Sequence, residues 1–391
     1  MERVIIVGGG LAGLRTAEAL RAQGHTGGLT LVAGEPYPPY DRPPLSKAVL
    51  RGETGDTTVA ADWEALGCEL LLGRSATGLG EDLETTEGPL GFDGLVIATG
   101  ASPIRLPGDG PQHVLRSIDD ARTLRAGLRT GARLVIIGAG WIGAEVATAA
   151  TAAGCRVTVV EAADAPLAGA IGAEVGSRTA AWYAEAGVEL RHGLKVASVR
   201  PGGLELAGGG SIEADVVLTA VGVRPETAWL EGSGLALENG VVADERLRTT
   251  RPGVYAVGDC AAWWSPRFGR RLRVEHWDTA LNAPDVAAAN LLGGERAYDA
   301  VPYFWSEQFG RMVQYAGHHP IADAMVWRGD PESGGWAVCW LAGDRLVGIL
   351  TVNRPRDLLQ GRRAIASGAF VDGARIADPA VAVKAAVRAG S

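Results

Sequence analysis

The sequence predicts an α/β chain in three parts: two parallel-sheet domains of one design, then a smaller α+β domain. Two observations carry this prediction. A strand, a G-x-G-x-x-G turn and a helix occur in that order twice, and the composition changes after Pro302. The length of 391 residues is more than one core usually organises, which agrees with several domains.

The first copy opens the chain. Val4-Ile5-Ile6-Val7 is apolar and mostly β-branched, as a buried parallel strand should be. Gly8, Gly10 and Gly13 follow in the fingerprint spacing. Gly8 permits the tight turn, Gly10 lets backbone approach a pyrophosphate, and Gly13 lets helix and strand pack closely. The helix begins at Leu11 and Ala12, whose N–H groups and positive dipole end face the phosphates. Glu35 ends the next strand, where an acid holds a ribose hydroxyl. This is a Rossmann-like dinucleotide-binding plan. In the second copy, Leu134-Val135-Ile136-Ile137 leads to Gly138, Gly140, Ile142 and Gly143, and Glu161 ends the following strand. Each copy also has a closing strand, one ending at Ala98-Thr99-Gly100 and its echo at Gly222. Two such copies imply two dinucleotides, with electrons passing between them.

The segments between the copies complete the plan. Prolines order the stretch from Pro36 to Lys47 into a turn and a short helix, and Arg42 and Lys47 bring positive charge back towards the phosphate loop. Val257-Gly258-Asp259 ends another strand in a carboxylate able to accept from a polyol, or to cap a helix. Residues 275–292 read as a helix. Beyond Pro302, the aromatic and β-branched residues around Tyr303-Phe304-Trp305, Trp327, Trp336 and Trp340 predict an antiparallel sheet, closed by two Ala-rich helices.

Composition excludes several classes. A net charge of -8 argues against nucleic-acid binding, while leaving room for a local basic patch facing an acidic protein. The weakly apolar residues 134–154 are interrupted by Glu145, so no membrane span is expected. Cys68, Cys155, Cys260 and Cys339 contain no C-x-x-C, which points to reduced thiols, no metal site and no thioredoxin-like relay. The opening lacks a signal-peptide plan, and a cytoplasmic protein is expected.

Seven stretches, in order, carry a resemblance: Pro39-Tyr40-Asp41-Arg42-Pro43-Pro44-Leu45-Ser46-Lys47, Ala98-Thr99-Gly100, Val223-Arg224-Pro225, Val257-Gly258-Asp259, Glu275-His276-Trp277, Tyr303-Phe304-Trp305-Ser306 and Asn353-Arg354-Pro355. Together they resemble the FAD-dependent NADH:ferredoxin and rubredoxin reductases, the putidaredoxin reductase and aromatic-ring dioxygenase reductase type. The resemblance spans nearly the whole chain. It implies an FAD-binding domain of residues 1–110 and 226–301, an NAD-binding domain of residues 111–225, and a C-terminal domain of residues 302–391. It implies that Arg42 and Lys47 lie along the flavin, and it pairs Lys47 with Glu145 as the catalytic residues. Ala76 and Arg116 would contact the adenine half of FAD, and Asp259 the ribityl chain. Trp277, within Glu275-His276-Trp277, would sit at the pyrimidine end. The chain departs from the family at Ala283-Pro284, where Gln-Gly is common, and at Gly169, in place of an Arg.

The implied function is hydride transfer from NADH to FAD, then single electrons to a [2Fe–2S] ferredoxin or rubredoxin serving an oxygenase or P450. A second reading is disulfide, peroxide or oxygen reduction on the same scaffold; residues 43–47 hold no Cys, which leaves an oxidase without a thiol relay. A third is an NADH-binding flavoprotein of slow turnover, like the apoptosis-inducing-factor relatives. Two arginine clusters are expected to flank the docking face for an acidic ferredoxin: Arg267, Arg270, Arg271 and Arg273, and Arg354, Arg356, Arg362 and Arg363.

Overall fold

The computed structural model describes residues 1–388. In chain order the elements that matter here are β1 (Arg3–Val7), α1 (Leu11–Ala22), β2 (Gly28–Ala33), β3 (Cys68–Leu72) and β4 (Gly94–Ile97). Then come β5 (Arg133–Ile137), α2 (Trp141–Ala152), β6 (Arg156–Val160), β7 (Glu189–Arg191), β8 (Val216–Thr219), β9 (Val254–Ala256) and α3 (Trp277–Leu291). The last group is β10 (Tyr303–Gln308), β11 (Arg311–Gly317), β12 (Ala324–Arg328), β13 (Trp336–Ala342), β14 (Arg345–Val352) and α4 (Pro355–Ala366). The described residues form two compact units: Met1–Asp41, Thr57–Ser102 and Arg224–Tyr303 in one, and Arg42–Asp56, Pro103–Val223 and residues 304–388 in the other.

The first unit is built on a parallel sheet in the order β9-β4-β1-β2-β3. Its register puts Val7 beside both Val32 and Ile97, and Ala256 beside Ile97. Four strands therefore end at one level, and the residues after them share the carboxyl edge where open α/β sheets bind ligands. Ile5, Val7, Leu95, Ile97 and Val254 form a buried core. Helices α1 and α3 pack together. Helix α3 runs through Pro284, which has no N–H for the Ala280 carbonyl.

The second unit holds the other parallel sheet, β7-β6-β5-β8, and an antiparallel sheet, β10-β11-β14-β13-β12. Each predicted strand of the second copy is present, with Ile137 level with Val160 and Thr219. An aromatic core joins the helical stretch after β6 to the antiparallel sheet: Leu167, Val175 and Trp182 bury against Trp336, Trp340 and Leu350. The Ala-rich end differs from the expected pair of helices. It forms α4 and two short turns of helix, Gly373–Ala377 and Val383–Ala386, because Gly368, Gly373 and Pro379 interrupt it.

Candidate functional site: two nucleotide cradles and a buried ion pair

In the first unit, sterics enforce the fingerprint. Gly8 has φ +126°, and a Cβ there would lie 2.1 Å from the Ala98 carbonyl oxygen. A Cβ on Gly13 would lie 2.0 Å from the Gly8 carbonyl oxygen. Gly10, by contrast, has open space where its Cβ would be. Gly10 is the N-cap of α1 without a side-chain hydrogen bond, so the first-turn N–H groups at Leu11, Ala12 and Gly13 are left for a ligand. Glu35 stands at the adjacent strand end and accepts from the Tyr40 hydroxyl at 2.5 Å.

The other expected residues of this unit converge on the same edge. The Ala98-Thr99-Gly100 turn is pinned from Glu226: its N–H donates to the Gly100 carbonyl at 2.9 Å, and its carbonyl accepts from the Thr99 hydroxyl at 2.7 Å. Gly258 packs so close to Ala12 that a Cβ would approach its Cβ to 3.2 Å, which sets Asp259 beside the α1 N-terminus. Trp277 donates its indole N–H to Asp41 at 2.9 Å. Burial pushes His276 down to about 4, against the pull of Asp259, so the imidazole is neutral at neutral pH. Glu275 is paired with Arg273 at 2.7 Å. Ala76 packs against the core of the same unit.

The second unit repeats the cradle. Gly138 has φ +105° and its Cβ would meet the Ala220 carbonyl oxygen at 2.4 Å, while Gly143 would meet the Gly138 carbonyl oxygen at 2.1 Å. Gly140 caps α2 without a side chain and is open on its Cβ side. Glu161 braces this turn: its carboxylate accepts from Ala139 N–H at 2.7 Å and Ala163 N–H at 2.8 Å. Ile142 is exposed beside the turn, and Gly222 follows the exposed Val221 on the neighbouring strand end. Gly169 lies in open space.

The same unit holds a buried polar cluster. Lys47 Nζ lies 2.7 Å from Glu145 Oε2, with the carboxylate 4% exposed. The Ser46 hydroxyl donates to the same oxygen, and the Ser306 hydroxyl donates to Oε1 at 2.6 Å. Arg42 donates to the Arg116 carbonyl at 2.7 Å.

Residues 2–283 match the model of the pyridine nucleotide-disulphide oxidoreductases, and residues 303–387 match the reductase C-terminal domain. The chain belongs to this oxidoreductase family. It is an FAD-dependent enzyme that works with NADH. It is 38% identical to the anthranilate 1,2-dioxygenase system ferredoxin–NAD(+) reductase component of Burkholderia cepacia, over 97% of this chain and 98% of that protein. Among solved structures, that of Fdr9 has a TM-score of 0.94 at 50% identity, covering 98% of this chain and 99% of that one. The covalent putidaredoxin reductase–putidaredoxin complex has a TM-score of 0.94 at 32% identity, covering 98% and 97%.

The cysteines of this oxidoreductase do not suit disulphide chemistry. All four are free and buried. Burial pushes Cys68 to about 11 and Cys339 to about 12, and raises Cys155 and Cys260 as well, so none is a ready thiolate. The cradles fit FAD and NADH: each offers an uncapped helix N-terminus, a glycine with no neighbour over it and an acid at the next strand end. Sequence reasoning missed Ser46 and Ser306 as partners of Glu145, and Tyr40 as the partner of Glu35. It also overcounted cations. Arg267 is bound to Asp299 at 2.6 Å, Arg271 donates to the Ala243 and Ala262 carbonyls, Arg273 is held by Glu275, and Arg354 by Asp357 at 2.5 Å. Arg270, Arg356 and Arg363 are exposed.

Proposed function

We propose that this chain is an NADH:ferredoxin reductase, passing electrons to a [2Fe–2S] ferredoxin or rubredoxin that serves an oxygenase or P450. The observation that carries the reading is the pair of uncapped glycine cradles, one on each parallel sheet. The ferredoxin acceptor is supported by the full-length similarity to ferredoxin–NAD(+) reductase components. Bound FAD supplies the exchange between hydride and single electrons.

The chain supplies binding and charge. The first cradle, residues 8–13 with Glu35, holds the ADP half of FAD, together with Ala76 and Arg116, and Arg42 lies along the flavin. Asp259 takes the ribityl chain, and Ala98-Thr99-Gly100 and Glu275-His276-Trp277 hold the flavin. The second cradle, Gly138, Gly140, Ile142 and Gly143 with Glu161 and Gly222, binds NADH. Lys47, compensated by Glu145, is the cation that electron density on the flavin requires. The FAD domain comprises residues 1–110 and 226–301, the NAD domain residues 111–225 and the C-terminal domain residues 302–391.

Among the described residues no helix is long and apolar enough to cross a membrane. The free, buried cysteines suit a cytoplasmic protein. The test is cytochrome c reduction by NADH with and without purified ferredoxins. Dependence on an added ferredoxin is expected, and NADH oxidation that no ferredoxin accelerates would refute the acceptor.

A further inference from the structure

Helix α2 carries Trp141, Glu145 and Thr148 along one face. Each meets β10 or the residue after it, in order. The Phe304 ring lies 4.7 Å from Trp141, Ser306 donates to Glu145, and Phe309 N–H donates to the Thr148 hydroxyl at 3.0 Å. The C-terminal sheet is thus registered on the helix that follows the second glycine fingerprint. Ser306 is fully buried and Gln308 nearly so. The Gln308 amide donates to the Ser306 oxygen at 3.1 Å. That bond occupies the hydroxyl as an acceptor and leaves its one proton for Glu145. Glu145 Oε1 accepts from Ser306, while Oε2 accepts from Lys47 and Ser46.

We propose that Ser306 is a positioning residue of the electron-transfer site. With Gln308 behind it, its hydroxyl fixes the Glu145 carboxylate, and through it the Lys47 ammonium. This rests on the reading that Lys47 meets the flavin. The Ser306 hydroxyl points the positive end of its dipole at Oε1 and takes up part of the carboxylate's negative field. Without Ser306 that donor is lost, and more of the field acts on Lys47. Less positive charge then remains for the flavin, which becomes harder to reduce. In a buried site such a change is felt more strongly than in water.

The test uses three holoenzyme variants, Ser306→Ala, Ser306→Thr and Ser306→Val. Thr and Val have the same shape, so their difference isolates the hydroxyl. The FAD midpoint potential is measured by spectroelectrochemical titration, and the limiting rate of FAD reduction and the NADH affinity by stopped flow. Ser306→Ala and Ser306→Val should lower the flavin reduction equilibrium by at least about threefold, a fraction of one hydrogen bond to a charged group. They should slow the limiting rate while leaving NADH affinity within about twofold, and Ser306→Thr should restore both. Gln308→Met, which keeps the volume and releases the hydroxyl, should shift the potential the same way by less. A merely structural serine would affect thermal stability without separating Thr from Val in potential. Equal potentials for Thr and Val overturn the inference and leave the reductase reading standing. Wild-type FAD that NADH does not reduce overturns both.

Discussion

Glu161 should decide which nucleotide the second cradle accepts, and its geometry sets the size of the effect. Its carboxylate takes two backbone N–H bonds, from Ala139 and Ala163, so it holds the glycine turn, and on the proposed reading it also meets the NADH ribose. A 2′-phosphate about 6 Å from this carboxylate meets a repulsion of about 3 kcal/mol per charge at an effective dielectric of about 20, before salt screening. The wild type should therefore favour NADH over NADPH in kcat/KM by at least about tenfold, equivalent to about 1.4 kcal/mol. Glu161→Ala removes the repulsion but also both bonds to the turn. Each is a hydrogen bond to a charged group, worth about 1.5–3 kcal/mol. Glu161 is half-buried, so water compensates part of that loss and about 1–2 kcal/mol remains. The KM for NADH should rise about 5- to 30-fold, and the preference should fall to about threefold or less. Adding Ala162→Arg should turn the preference towards NADPH without regaining wild-type efficiency. Steady-state kinetics with both nucleotides checks this. Equal wild-type efficiencies, or an unchanged NADH KM in Glu161→Ala, would refute the reasoning.

Four further outcomes are expected. Asp259→Ala should weaken retention of FAD by about 1–3 kcal/mol, read by gel filtration and chromatography of the released flavin; FMN in place of FAD would refute the first-cradle assignment. His276 takes its proton near 6.5 when unfolded and near 4 when folded, so the folded form binds fewer protons in that window. The stability it contributes should be complete above about pH 6.5 and decline as pH falls towards 4, and His276→Gln should flatten that decline in denaturant titrations. Arg328 spends its buried guanidinium on both Asp357 oxygens and on the Ile376, Asp378 and Val381 carbonyls, so Arg328→Met should cost about 3–5 kcal/mol and loosen residues 373–388 to protease; a loss below about 1 kcal/mol would contradict the assignment. Ferredoxin-dependent turnover should fall with ionic strength while ferricyanide turnover holds, and Arg356→Glu with Arg363→Glu should raise the KM for ferredoxin alone; salt-insensitive turnover would remove electrostatic docking.

Both cradles were legible because their demands are local. A turn that needs φ above zero at Gly8 and no side chain at Gly13 leaves a mark within six residues, and Gly138 and Gly143 repeat it. The register of β1 and β5 with their neighbours follows from the same segments. Ser306 lies within Tyr303-Phe304-Trp305-Ser306, but nothing near it marks a partner, for Glu145 lies 161 positions away. Arg328 is similar. A charged residue at a strand end reads as exposed, yet here it is 1% exposed and collects carbonyls 48 to 53 positions further on.

Charge was the least legible property, for a physical reason. A cluster of arginines in sequence counts cations, whereas a docking face depends on cations left over after folding. Arg271 illustrates the difference: its guanidinium closes the carbonyls of Ala243 and Ala262, so reversing its charge would break a sheet edge before it changed an encounter rate. Arg356 and Arg363 behave otherwise. They sit seven residues apart on α4 with Leu359 between them, and all three are exposed, which is the i, i+3, i+7 pattern of one helix face. That face is basic with an apolar centre, whereas the chain as a whole carries a charge of -8. Long-range attraction of an acidic partner to an acidic chain needs such a local reversal of sign, and α4 provides one. Of the arginines counted on α4, folding leaves Arg356 and Arg363 exposed on one face, and that face rather than the count is what the charge-reversal experiment addresses.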